Sequence, residues 1–319
     1  MKNRIVELDL AKGFAILLIV FSHLTYQNQF QRNFVSLFHV PIFFIIAGYF
    51  FKNKSIKEYM SKGLKKYLLP AYIFLIFDIL KDIIIDKNWS FFTNIQYFFK
   101  TILFLGGSFK NFPIWFLPTL FILIIICNLI KNEKHKILIA IALIVINNII
   151  KVPFDGYFWP MCVLYGFPFF ITGYFINKLS KNIENHYNIY IYILTLFLLL
   201  FLTRICGYNS MTEQIFEKGY ILFFISGIIG FYNILSLCNL IKNIKLANFL
   251  IPIGLNTKFI VLTHYYICRV ILPKLFIFIG YEFLLENFAI QLILLLLLMI
   301  SYVIFFHFYQ KCLKKYVII

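Results

Sequence analysis

Charge is what this sequence has least of. Asp, Glu, Lys and Arg make up 13% of its 319 residues, where a soluble domain carries about a quarter. With 62% of residues hydrophobic and a mean hydropathy of +0.86, there is too little polar surface to enclose a water-soluble core. Acidic residues are scarcer still, 13 against 30 basic ones, and the net charge is +17. In a soluble chain that excess points to nucleic acid. Here the lysines fall between apolar runs and read as anchors against anionic membrane lipid, so no nucleic-acid partner is expected. The six cysteines include no CxxC pair, and most lie inside apolar runs, so neither a disulfide framework nor a metal site is implied. Strand-length alternation is absent, which excludes an outer-membrane barrel. No small-residue cleavage site follows the first apolar run, so no cleavable signal peptide is expected. There is no soluble domain, long linker or clear internal repeat. The expectation is one membrane-embedded domain over 1–319.

What is present is a series of apolar runs of helix length. Ten spans are expected, at 8–26, 34–51, 66–85, 113–130, 136–151, 159–177, 187–205, 219–241, 247–272 and 286–309, since a crossing needs about 20 residues. The fold class is therefore all-α, a polytopic integral membrane bundle. The stretch NIQYFFKTILFLGG within 90–107 is interrupted by Lys100 and reads as an interfacial helix. With the N-terminus inside, 17 Lys and Arg fall in inner loops, among them Lys54, Lys57, Lys62, Lys65 and Lys66. Nine fall outside, including Arg32, Lys110, Arg204 and Arg269. That bias places both termini in the cytoplasm.

Polar residues inside spans are functional candidates. LDLAKGFAILLIVFSHL opens the chain with Lys12 near its start and His23 near its end. Eleven residues bring a helix back to nearly the same face, roughly 16 Å further along. Span 2 begins FHVPIFFIIAGYF, with His39 in its outer half and Pro41 in the first turn, where proline is tolerated. PIWFLPTLF places Trp115 at a similar level, and GLNTKFIVLTHYY does so for His264, seven residues after Thr257. Three of the six histidines and a tryptophan thus gather at one depth. Three histidines could ligate a metal, but no HxxxH or HxxE pair supports it, and no metal is expected.

These four segments together resemble acyltransferase family 3 of the membrane-bound O-acyltransferases, in particular its fucose 4-O-acetylase-like branch. LDLAKGFAILLIVFSH is similar to the first-span motif, in which Arg or Lys and then His are separated by ten residues. FHVPIFFIIAGYFF, WFLPTLF and GLNTKFIVLTH resemble the second, third and fourth motifs. Lys12 stands for the commoner Arg, Ala47 for Ser and Thr257 for Ser.

The resemblance implies transfer of an acyl group, most often acetyl, from cytoplasmic acyl-CoA to a sugar hydroxyl of a cell-surface polysaccharide or glycolipid, in the cell membrane. Acyl-CoA would be a co-substrate, with no permanently bound cofactor. Lys12 would hold the CoA phosphates and His23 would be the general base. His39 or His264 would orient it, donate to the oxyanion or bind sugar. Trp115 would stack on the sugar, and Asn256 and Thr257 would bind substrate. A different class remains open, a glycan or lipid exporter whose path is the polar cluster. So does a third, a receptor-like membrane protein without catalysis.

Overall fold

A computed structural model describes residues 5–24, 28–85, 112–150, 159–179 and 188–316. The stretch 90–107 and His186 lie outside the described residues. The described residues are helical almost throughout. Its elements are α1 (Val6–His23), α2 (Gln29–Ser36), α3 (His39–Tyr49), α4 (Ile56–Gly63), α5 (Leu69–Ile85), α6 (Phe116–Leu129), α7 (Glu133–Ile149) and α8 (Trp159–Leu179). After these come α9 (Ile189–Cys206), α10 (Tyr220–Ile241), α11 (Lys245–Leu255), α12 (Thr257–Tyr266), α13 (Leu272–Phe278) and α14 (Phe288–Tyr316). The described strands form one two-residue hairpin, β1 (Asn209–Ser210) against β2 (Ile215–Phe216), antiparallel, with Asn209 opposite Phe216.

Among the described residues, six helical stretches are long and apolar enough to cross a membrane: Gln29–Tyr49, Pro160–Leu179, Ile189–Cys206, Tyr220–Ile241, Thr257–Phe278 and Phe288–Tyr309. Pro113–Leu129 and Lys245–Leu255 are shorter apolar helices. α1 has the length but carries Glu7, Asp9 and Lys12 in its first half. This is an all-α, multi-pass membrane protein.

The first and ninth expected spans differ from what forms. The run 247–272 is broken at Asn256, which leaves α-geometry at φ −110°, ψ 20° between α11 and α12. Pro252 has no N–H to give the preceding turn, and the Asn256 amide closes the break by donating from Nδ2 to the Pro252 carbonyl at 2.8 Å. His23 is the last residue of α1 rather than an interior one. Leu24 is already extended, and its N–H returns to Phe21 and Val20.

By contacts the chain forms two compact units. One comprises Met1–Phe43, Asn182–Arg204 and Gly227–Ile319; the other comprises Phe44–Lys181 and Ile205–Ser226. In the first, α1 packs on α2, α11, α12 and α14. In the second, α8 packs on α6 and α7. Among the described residues, each unit contains one crossing at backbone contact. A Cβ at Gly254 on α11 would lie 1.9 Å from the Asp9 carbonyl oxygen of α1, and one at Gly173 on α8 would lie 1.8 Å from that of Ile45 on α3. Only glycine allows either approach.

A candidate acyl-transfer site

The site is built on α1, and every element of it described next belongs to the first unit. The α1–α11 crossing at Gly13 and Gly254 fixes the depth and rotation of α1. At the crossing itself, the Lys12 ammonium meets the Asp9 carboxylate at 2.6 Å, with Asp9 buried and Lys12 partly exposed. Lys242, just after α10, reaches buried Glu7 at 2.6 Å. The acids lie in the first turn of α1, where the helix dipole favours negative charge. So the Lys12 end of the helix is a paired, oriented cation rather than a snorkelling one.

At the other end, the His23 ring lies against two rings from α12. Its centroid is 5.1 Å from that of His264, tilted by 49°, and 5.2 Å from that of Tyr265, edge to face. His264 is fully buried. Its Nδ1 is 2.7 Å from the Ile260 carbonyl oxygen, which can only accept, so Nδ1 carries the proton and Nε2 carries the lone pair. That Nε2 is buried and makes no hydrogen bond.

His39 is fixed in the same way. Its Nδ1 donates to the Val35 carbonyl at 2.5 Å, capping the end of α2 and leaving Nε2 as the acceptor. His39, His264 and Arg269 all lie within electrostatic range of His23. Three imidazoles thus converge from α1, α3 and α12, as their common level in the sequence leads one to expect, and two of them are locked in one tautomer by backbone carbonyls.

A histidine cluster and a paired cation at opposite ends of one helix, about 16 Å apart at 1.5 Å per residue, match the two-ended motif seen in the sequence. Residues 5–310 match the acyltransferase domain of the acyltransferase 3 family, essentially the whole chain. The chain belongs to the acyltransferase 3 family. No curated protein and no solved structure matches it. It is therefore a membrane acyltransferase.

In this acyltransferase the remaining expected site residues take different places. Asn256 forms the break between α11 and α12, and Thr257 is the first residue of α12, seven residues before His264. Trp115 belongs to the second unit. There it ends a 3₁₀ turn, Phe112–Trp115, and is buried, with its ring against Phe44 and Phe116 and its carbonyl accepting from Thr119 at 2.9 Å.

Sequence reasoning missed Asp9, Tyr265 and Arg269. Asp9 precedes Lys12 by three residues, the spacing of a helical ion pair, so that signal was available. Tyr265 and Arg269 carried no local signal, because ordinary spacing does not say which residues of α12, or of the turn after it, lie near His23.

Proposed function

We propose that this acyltransferase moves an acyl group, most often acetyl, from cytoplasmic acyl-CoA to a hydroxyl of a sugar in a cell-surface polysaccharide or glycolipid. The proposed setting is the cell membrane, with both chain termini cytoplasmic and the acceptor entering from the far side. The observation that carries this reading is the two-ended α1. Lys12, oriented by Asp9, is suited to the anionic head of CoA. The His23 ring, against His264 and Tyr265, is suited to the thioester end.

In the proposed reaction an acceptor hydroxyl gives its proton to a ring nitrogen of His23. Its oxygen attacks the thioester carbonyl, the C–O bond forms, and the C–S bond breaks as the tetrahedral intermediate collapses. The CoA thiolate then takes the proton back from the imidazolium and leaves as the thiol. The tautomers narrow the roles of the other two histidines. With Nδ1–H committed to a carbonyl, neutral His264 and neutral His39 each offer only an acceptor nitrogen. They can orient the acceptor hydroxyl or the His23 N–H. In that state neither can donate to an oxyanion.

The test compares surface glycans from cells with and without the gene by mass spectrometry, and follows acetyl transfer by the purified protein in lipid nanodiscs. The expected result is an acyl increment that disappears with the gene and with His23→Gln. If surface glycan falls in amount while its acylation is unchanged, the chain acts as an exporter and this reading is wrong.

A further inference from the structure

The chain contains four arginines, Arg4, Arg32, Arg204 and Arg269, and its other basic residues are lysines. Arg269 has a distinctive position. It is the central residue of a widened turn, Ile267–Ile271, in which the backbone hydrogen bonds reach back five residues; the Leu272 N–H closes it on the Ile267 carbonyl. Pro273 accounts for the widening. In a regular helix its missing N–H would leave the Arg269 carbonyl without a partner, and its ring would collide with that carbonyl.

The wide turn has a geometric consequence. Arg269 follows Tyr265 by four residues and His264 by five, so one regular turn or one wide turn returns it to the face that meets His23. Its side chain is exposed and makes no hydrogen bond or ion pair with any described residue. A second exposed guanidinium, Arg204, lies over the Phe30 ring of α2, the helix that follows His23, at 5.3 Å. Widened helical turns are frequent at functional sites. A planar guanidinium fork fits a carboxylate or phosphate in a way that a lysine does not.

Resting on the acyltransferase reading above, we propose that Arg269 binds an oxyanion carried by the acceptor, so that the sugar acylated here is an acidic or phosphorylated one. Arg269 fixes the acceptor about one turn beyond the imidazoles, which leaves a hydroxyl within reach of His23.

The experiment uses the full chain in phosphatidylcholine nanodiscs, with acetyl-CoA and matched acceptors: methyl glucoside, methyl glucuronide and glucose 1-phosphate. It reads acetyl transfer together with the acetyl-CoA hydrolysis that occurs without an acceptor. The anionic acceptors should show the higher kcat/KM or compete with hydrolysis. Arg269→Gln should lower their kcat/KM by about ten- to a hundredfold, the usual range for a charged hydrogen bond, a loss well beyond any change in hydrolysis or in neutral-acceptor transfer. Arg269→Lys should restore only part.

A preference for the neutral acceptor, or no effect of either anion on transfer or hydrolysis, overturns the proposal. An equal loss on all acceptors in Arg269→Gln assigns Arg269 a structural role and overturns it too. If the Arg269 effect appears only when phosphatidylglycerol is added to the nanodiscs, the guanidinium serves a lipid headgroup instead. Absence of any His23-dependent turnover of acetyl-CoA rejects the acyltransferase reading itself.

Discussion

Among the described residues the same backbone device occurs once in each unit, with different cargo. Leu64–Leu68, between α4 and α5, is a wide turn closed by the Leu69 N–H on the Leu64 carbonyl, and Pro70 follows. Ile267–Ile271, between α12 and α13, is closed by Leu272 on Ile267, and Pro273 follows. In both, the central residue is the cation four positions before the proline: Lys66 in one, Arg269 in the other. The cause is common to both. A proline within a continuing helix clashes with the carbonyl four residues back at a cost of about 3 kcal/mol, and one extra residue in the turn relieves it. The surroundings differ. The first turn sits in LKKYL beside the exposed helix α4 and its Lys54–Glu58–Lys62 ion pairs. The second follows His264 and Tyr265, which pack on His23. A local rule produced the two turns, and only the second directly follows the residues that pack on His23.

The comparison breaks most sharply at His23. His23→Gln should lower acyl transfer per folded molecule by about 10²- to 10⁴-fold, the range for a general base, since Gln accepts a hydrogen bond but no proton at neutral pH. Lys66→Gln, at the centre of the other turn, should leave transfer within about twofold, as surface substitutions usually do. Near-normal turnover in His23→Gln would move the base to His264 or His39.

Lys12→Ala should raise the KM for acyl-CoA by about ten- to a hundredfold with a smaller change in kcat. Lys12→Arg should be tolerated, because Asp9 can hold either cation. An unchanged KM in a folded Lys12→Ala protein would remove the CoA-phosphate role.

Pro273→Ala permits the second wide turn to close into regular helix, which shifts the Arg269 side chain relative to His264 and His23. Transfer to the preferred acceptor should fall by about tenfold, on the scale expected of a small misplacement. Pro70→Ala should alter activity by less than twofold, measured alongside it at equal membrane abundance. Equal effects of the two substitutions would dissolve the distinction between the turns.

The smallest effect concerns α4. Lys54 and Lys62 hydrogen-bond to Glu58 and hold its carboxyl at about 2, below the ordinary 4.5. A depressed carboxylate favours the folded state above pH 4.5 and loses that contribution as pH falls toward 2, so between pH 5 and 8 the wild-type thermal midpoint should lie above that of Glu58→Gln by a small, constant amount that shrinks as pH falls toward 2. A pH-dependent difference within that window would contradict the assignment.

Much of this was legible in the chain itself. Apolar runs of bilayer length with few charges leave no alternative to a helical membrane protein, because every backbone group in lipid must be bonded within its own helix. Lys12 and His23 share a face because eleven residues complete three turns, and that is a property of the sequence alone.

The rest was decided by packing. The break at Asn256 needed Gly254 pressed against α1 and an amide free to close the Pro252 turn. The fixed tautomers of His39 and His264 depend on carbonyls four residues earlier that the helix brings within reach. Tyr265 meets His23 only because α1 and α12 lie side by side, and Asp9 is buried because α11 covers it. The sequence determined which residues were too polar for their runs and at what level along each helix they stand. Which of those residues face one another depends on how each helix is rotated about its axis, and only backbone contacts between helices, such as the one at Gly254, set that rotation.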